Sequence, residues 1–128
     1  MDDLIIAGTK KIPCINFNIQ AGIFNISGNS IMEDPYVFYH ELNEYIEMYT
    51  NIFPKSTTIN IHIEYMNTSS YRCLVNMLKN FLSLPSGLKV VVNWLYEADD
   101  ELMLADGMEC KRITDIDDFN FIPLVSTG

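Results

Sequence analysis

Three hydroxyl residues in succession, Thr68-Ser69-Ser70, separate a stretch of strict alternation from a stretch of helical periodicity. A hydroxyl at a strand-to-helix turn has two chemical uses. The side chain of Asn67 or Thr68 can accept a hydrogen bond from a free N–H of the first helical turn, a cap that contributes ~1 kcal/mol. The same position also suits a phosphate. It is exposed, carried on a rigid scaffold and adjacent to the positive end of a helix dipole. Phosphorylation there adds about −1.5 to −2 charge that the free N–H groups can accept without unfolding the helix. The pattern alone leaves both uses open.

The other chemistry-bearing residues are sparser. His40 falls on a predicted helix and His62 on the polar side of a predicted strand, and neither stands beside a nucleophile in an identifiable motif. Asp115, Asp117 and Asp118 resemble the start of a calcium loop, but Asn120 occupies the position where that loop needs glycine, and no closing glutamate follows. No glycine loop followed by Lys-Ser/Thr is present to cradle a phosphate. Asp99-Asp100-Glu101 suits a helix N-terminus. With His62 it also supports an alternative reading, a small ligand-binding or metal-assisted hydrolytic domain on an open face. Catalysis is the weaker of the two readings, and no cofactor or metal is expected.

A length of 128 residues with 48% hydrophobic and 12% aromatic side chains describes one core-forming domain over residues 1–128. Seventeen acidic against eight basic residues give a net charge of −9, which disfavours nucleic acid and anionic lipid and suits a basic surface on a partner protein. Cys14, Cys73 and Cys110 are an odd set without CxxC spacing. Cys14 in a strand and Cys73 on a helix read as small buried hydrophobes. No stretch is long and apolar enough for a membrane span, and the acidic start MDDLIIAG is unlike a signal peptide, so a cytoplasmic location is expected.

Residues 4–7, 12–18 and 22–27 read as three short strands, with a hairpin loop over Asn18 to Gly22 and Gly28-Asn29-Ser30 closing the third. Asp34 as N-cap and Pro35 as first helical residue open a helix whose apolar stripe is Phe38, Leu42, Tyr45, Ile46 and Tyr49. In the run Thr57 to Tyr65, Ile59, Ile61, Ile63 and Tyr65 alternate with polar residues. A strand with one polar face implies helices on one side of the sheet only. Leu74, Met77, Leu78, Phe81 and Leu82 mark a second helix, stopped by Pro85-Ser86-Gly87, and Leu88, Val90, Val92, Trp94 and Tyr96 a further strand. Those three elements form a βαβ unit with parallel strands. A third helix from Asp99 and a strand over 119–124 complete an α+β order, βββ-α-β-α-β-α-β, a mixed sheet with about three helices on one face. No internal repeat, linker or low-complexity segment is evident.

The stretches GTKKIPCINFN, GIFNISGNS, FYHEL, IEYMNTSSYRCLVNML and VVNWLYEADDELMLADG together resemble the SiaC family of bacterial regulatory phosphoproteins, over about Leu4 to Leu124. The most specific pieces are the EY-x-NTSS turn and the segment Trp94 to Leu104. The resemblance implies a STAS-like fold similar to anti-sigma-factor antagonists, and a non-enzymatic, partner-switching function. It implies phosphorylation of Thr68, with Ser69 and Ser70 also matching the motif, by a GHKL-type serine/threonine kinase, and reversal by a PP2C-type phosphatase. It further implies a target bound by the unphosphorylated form through Asn67, Thr68, Ser69, Ser70, Tyr71 and Arg72. In the family that target is a diguanylate cyclase, which links the module to cyclic-di-GMP signalling and to biofilm formation or aggregation. Three places depart from the family pattern: Asn29 replaces an arginine, Met66 replaces an aromatic residue, and Ala98 and Leu102 thin the acidic stretch. They fall on the surface a partner would meet.

Overall fold

The computed structural model describes residues 1–125. Its elements are β1 (Leu4–Ile6), β2 (Cys14–Asn18), β3 (Ile23–Ser30), α1 (Tyr36–Ile52), β4 (Thr57–Met66), α2 (Thr68–Phe81), β5 (Val90–Glu97), α3 (Glu101–Thr114) and β6 (Asp118–Leu124). The six strands form one sheet in sequential order. β1, β2 and β3 pair antiparallel through short turns, whereas β3 to β6 are all parallel, each crossover being one helix. The α+β architecture expected from the alternation is therefore the one observed.

The core lies on one face of the sheet. Ile15 and Phe17, Phe24 and Ile26, Ile59 and Ile61, Val92 and Trp94, and Phe119 come from alternate positions of five strands, and all are buried. The helices cover them with Tyr39, Leu42, Ile46 and Tyr49 of α1, with Leu74, Met77, Leu78 and Phe81 of α2, and with Met103 and Cys110 of α3. Edge-to-face contacts tie the layers together: Phe17 to Tyr49 at 4.6 Å between centroids and Phe24 to Phe81 at 5.4 Å. α3 comes closest to the sheet at Gly107. A Cβ on Gly107 would stand 2.6 Å from the Trp94 indole nitrogen, and that nitrogen donates to the Met103 carbonyl at 3.1 Å.

Five local expectations are corrected. Gly28-Asn29-Ser30 does not close β3. Gly28 takes a positive φ of 97°, the pairing slips by one residue, and Asn29 and Ser30 then pair with Tyr65 and Met66. The same slip turns Tyr65 outward, so the inward alternation of β4 stops at Ile63 and Tyr65 is 67% exposed. Cys14 is exposed, because it occupies an outward position two residues before Asn16, whereas Cys73 and Cys110 are buried as free thiols. In α1 the buried stripe begins at Tyr39, with Phe38 and Tyr45 half-buried; Pro35 is already in helical conformation and Asp34 accepts the Tyr36 N–H at 3.1 Å. Leu82, placed by its spacing on the stripe of α2, is the exposed residue that ends that helix.

Candidate functional site

Because β3 to β6 run parallel, the C-terminal ends of their strands and the N-terminal ends of all three helices share one rim. The hydroxyl turn lies in the middle of it. Asn67, in extended conformation, is the N-cap of α2, and every polar group it has is engaged. Its Oδ1 accepts the Ser70 N–H at 2.9 Å and its Nδ2 donates to the Met32 carbonyl at 2.8 Å. Its backbone N–H donates to the Ser30 carbonyl at 3.2 Å, and its own carbonyl accepts from Tyr71 at 3.0 Å. One residue thus stitches the end of β4, the start of α2 and the β3–α1 loop together.

The three hydroxyls that follow are treated differently. Ser70 is fully buried, and its Oγ has no partner among the described residues. Ser69 is half-buried and turns back, its hydroxyl donating to Asn67 Oδ1 at 3.3 Å. Thr68 is exposed, and its hydroxyl is absent from the hydrogen-bond network that holds the turn. The cap takes only the Ser70 N–H, so the first-turn N–H groups of Thr68 and Ser69 remain for solvent or an anion. The first turn of α2 contains no acidic residue, and Arg72 stands one turn from Thr68.

Behind the turn the structure is rigid. The Ser30 and Tyr39 hydroxyls are 2.8 Å apart and buried, and burial pushes the Tyr39 phenol up to about 12, so it stays neutral. Tyr71 packs against the core on the α3 side; burial first, then Cys110, Glu109 and Asp106, push it up to about 12. In front of the turn, apolar side chains are exposed between the acids Glu33, Asp34 and Glu64. Ile31, Tyr36, Val37, Tyr65 and Leu102 are exposed around the rim. An open groove of about 690 Å³ between α1 and α2 is lined by Tyr36, Val37, Tyr39, His40, Arg72 and Cys73, among others. Such a surface is built to meet a protein rather than water.

Of the remaining candidate residues, His62 and Asp100 line one small cleft with Glu64 and Glu97, and Asp99 and Glu101 do not line it. The Asp100 carboxylate caps α3, accepting the Met103 N–H at 3.0 Å, and Glu101 lies in the first turn. His62, on the outward face of β4, has Nε2 3.7 Å from Glu97, not from Asp99 or Glu101. His40 is exposed and pairs with Glu44 one turn away. Asp115 is the left-handed residue that ends α3, and Asp118 accepts from Asn120. Among the described residues, no group of three or more histidine, cysteine or acidic side chains could hold a metal ion. Also among the described residues, no helix is long and apolar enough to cross a membrane.

Sequence reasoning missed two parts of this site. One is the Asn67–Met32 bond, which joins residues 35 positions apart and has no local signal. The other is the groove, whose walls Val37 and Tyr36 were visible only as apolar residues off the buried stripe of α1.

Comparison with known proteins points one way. The model of the SiaC family regulatory phosphoproteins matches residues 6–124. An uncharacterized protein of Pseudomonas aeruginosa strain UCBPP-PA14 is 26% identical over 102 residues, covering 79% of this chain and 81% of the relative. SiaC of Pseudomonas aeruginosa superposes with a TM-score of 0.82 at 24% identity, over 98% of this chain and 100% of that one. The same fold, again at 0.82 and 24% identity, covers 97% of this chain and 100% of a chain in the crystal structure of the diguanylate cyclase SiaD with its activator SiaC. At this identity the superpositions establish the fold.

Proposed function

The chain belongs to the SiaC family of regulatory phosphoproteins, and from that premise we propose that it is a non-enzymatic partner switch set by phosphorylation of Thr68. The carrying observation is the sorting of three adjacent hydroxyls into one exposed, one half-buried and one enclosed. A kinase must draw the acceptor oxygen into its own active site. Thr68 can move without breaking a contact, whereas Ser69 would release Asn67 and Ser70 would have to leave the core.

The switch works by local electrostatics. Unphosphorylated, the start of α2 carries no formal charge in its first turn and is bordered by apolar side chains, so a target can dry it on docking. Phospho-Thr68 adds a dianion at that interface, held by the free first-turn N–H groups without disturbing the Asn67 cap. Stripping its water without supplying a countercharge costs several kcal/mol, and each ~1.4 kcal/mol is tenfold in affinity. The chain supplies a surface and an acceptor, and no catalytic group. A GHKL-type kinase adds the phosphate and a PP2C-type phosphatase removes it, in the cytoplasm. SiaC of Pseudomonas aeruginosa is the activator of the diguanylate cyclase SiaD. A diguanylate cyclase is accordingly the target we assign here, which places the chain in cyclic-di-GMP signalling.

The test is intact-mass spectrometry with fragmentation on protein purified from its native host with phosphatases inhibited. A single added phosphate on Thr68, absent from Thr68→Ala, is the expected result. A phosphate confined to another residue, or none under any growth condition, would return the turn to being a helix cap.

A further inference from the structure

We propose that the uncovered face of the sheet is the interface of a homodimer, centred on a row of five asparagines. Asn16, Asn25, Asn60, Asn93 and Asn120 occupy one register line across β2 to β6, one per strand. Their amides form a directional ladder. Asn120 donates to Asn93 at 3.2 Å, Asn93 to Asn60 at 2.9 Å and Asn60 to Asn25 at 2.9 Å; Asn25 ends the row on the Asn16 carbonyl at 3.5 Å. The signal is present in the sequence as a recurring apolar-Asn-apolar triplet (INF, FNI, INI, VNW, FNF), but only strand register aligns the copies.

The ladder leaves a specific remainder. Each inner amide has engaged one N–H and one oxygen lone pair, so one donor and one acceptor still point off the sheet. A row with equal donors and acceptors is complementary to itself, which is what a two-fold interface requires of a single patch. On either side of the row stand apolar side chains, Ile23 and Val91 toward one end and Leu95 and Ile122 toward the other, with Ile5 beside it on β1 at 71% exposure.

Charge selects the occupant. A chain of net charge −9 is repelled by its own copy over most of its surface. The ladder and its apolar flanks carry no formal charge, and the acids of this face, Asp118, Glu97 and Glu64, lie at its margins. Second copies can therefore meet here with least repulsion. Six strands at the usual spacing give a footprint of about 600 Å² per copy, near the lower bound for a specific interface, so the dimer is concentration-dependent. The Thr68 turn lies on the rim, not on this face, so each copy keeps its switch accessible.

Sedimentation velocity on the full chain over a dilution series tests this. A monomer–dimer equilibrium is expected in the wild type and, equally, in Thr68→Asp, since the interface is independent of the phosphorylation reading. Asn60→Lys places like charges across the two-fold and is expected to weaken the dimer roughly a hundredfold with an unchanged circular dichroism spectrum. Ile5→Lys, at an exposed side chain, is expected to weaken it about tenfold and keeps the test valid if the ladder variant fails to fold. A wild type that stays monomeric to about 1 mM, a range where even weak pairs show, overturns the proposal. So does a dimer that both variants leave intact. A monomer whose cyclase binding is lost in Ile5→Lys gives the face to the target instead and equally overturns a second copy as its occupant.

Discussion

The starts of α2 and α3 are built on the same cap and used in opposite ways. Asn67 accepts the Ser70 N–H at 2.9 Å, and Asp100 accepts the Met103 N–H at 3.0 Å. α3 then complements its dipole permanently, with the Asp100 carboxylate at the cap and Glu101 in the first turn. α2 has an uncharged cap, three hydroxyls and no acid in its first turn. One helix start already has its negative charge; the other has a place for one and an exposed hydroxyl to carry it. The difference separates a structural terminus from a conditional one, although both follow an alternating strand and both carry polar clusters.

That contrast can be broken at several points. The largest effect is expected from Thr68→Asp, which supplies part of the missing charge. Titration calorimetry against the cyclase target should show binding weakened a hundredfold or more, about 3 kcal/mol, while the melting temperature holds or rises slightly, because an acid at the first helical position favours the dipole. Equal affinity for Thr68→Asp and wild type would make α2 a terminus like α3. Asn67→Ala removes both the cap bond and the bond to the Met32 carbonyl, so urea unfolding should show a loss of about 2 kcal/mol. Asp100→Ala, which loses a cap alone, should cost about 1 kcal/mol in the same experiment. A reversed order would deny Asn67 its role as the joint between the β3–α1 loop and the switch.

Smaller changes sharpen the comparison further. Ser70→Ala deletes a buried hydroxyl that has no partner, and stability should rise by up to about 1 kcal/mol with Thr68 phosphorylation unaffected. A loss of phosphate incorporation in this variant would reassign the acceptor. The weakest expected effect lies on α3. Burial, and after it the Asp100 charge, holds the Asp106 carboxyl above its ordinary range. The folded state thus binds this proton more tightly than the unfolded chain, so ionised Asp106 opposes folding at neutral pH and the opposition fades as pH falls. Asp106→Asn should therefore stabilise the protein at pH 7, and the gain should vanish below the unfolded carboxyl range, about pH 4. A gain independent of pH would mean that the effect is not electrostatic.

The two faces of the sheet show how far local pattern reaches. Alternation in the run Thr57 to Tyr65 was enough to place the helices on one side, because side-chain direction in a strand has period two wherever the strand pairs. It misled at Tyr65, because beside Gly28, 37 positions earlier on the neighbouring strand, the pairing skips Glu64 and shifts the register. Cys14 shows the same limit. Its residue type favoured burial, but its parity with Asn16 puts it on the open face. The groove lined by Val37 and Arg72 was not legible either, since it is made by the packing of α1 on α2.

What the sequence determined by itself is what neighbours along the chain enforce: the order of the elements, a polar cap at the start of α2, an acidic start to α3, the alternation of the central strands and a hydroxyl turn at a helix start. These rest on backbone geometry within a few residues. Only the tertiary structure decided which of Thr68, Ser69 and Ser70 is free, because Ser70 is enclosed by core that arrives from elsewhere in the chain. Only it aligned the five asparagines, because strand register is fixed between segments as far as 35 residues apart by the packing of their common apolar face.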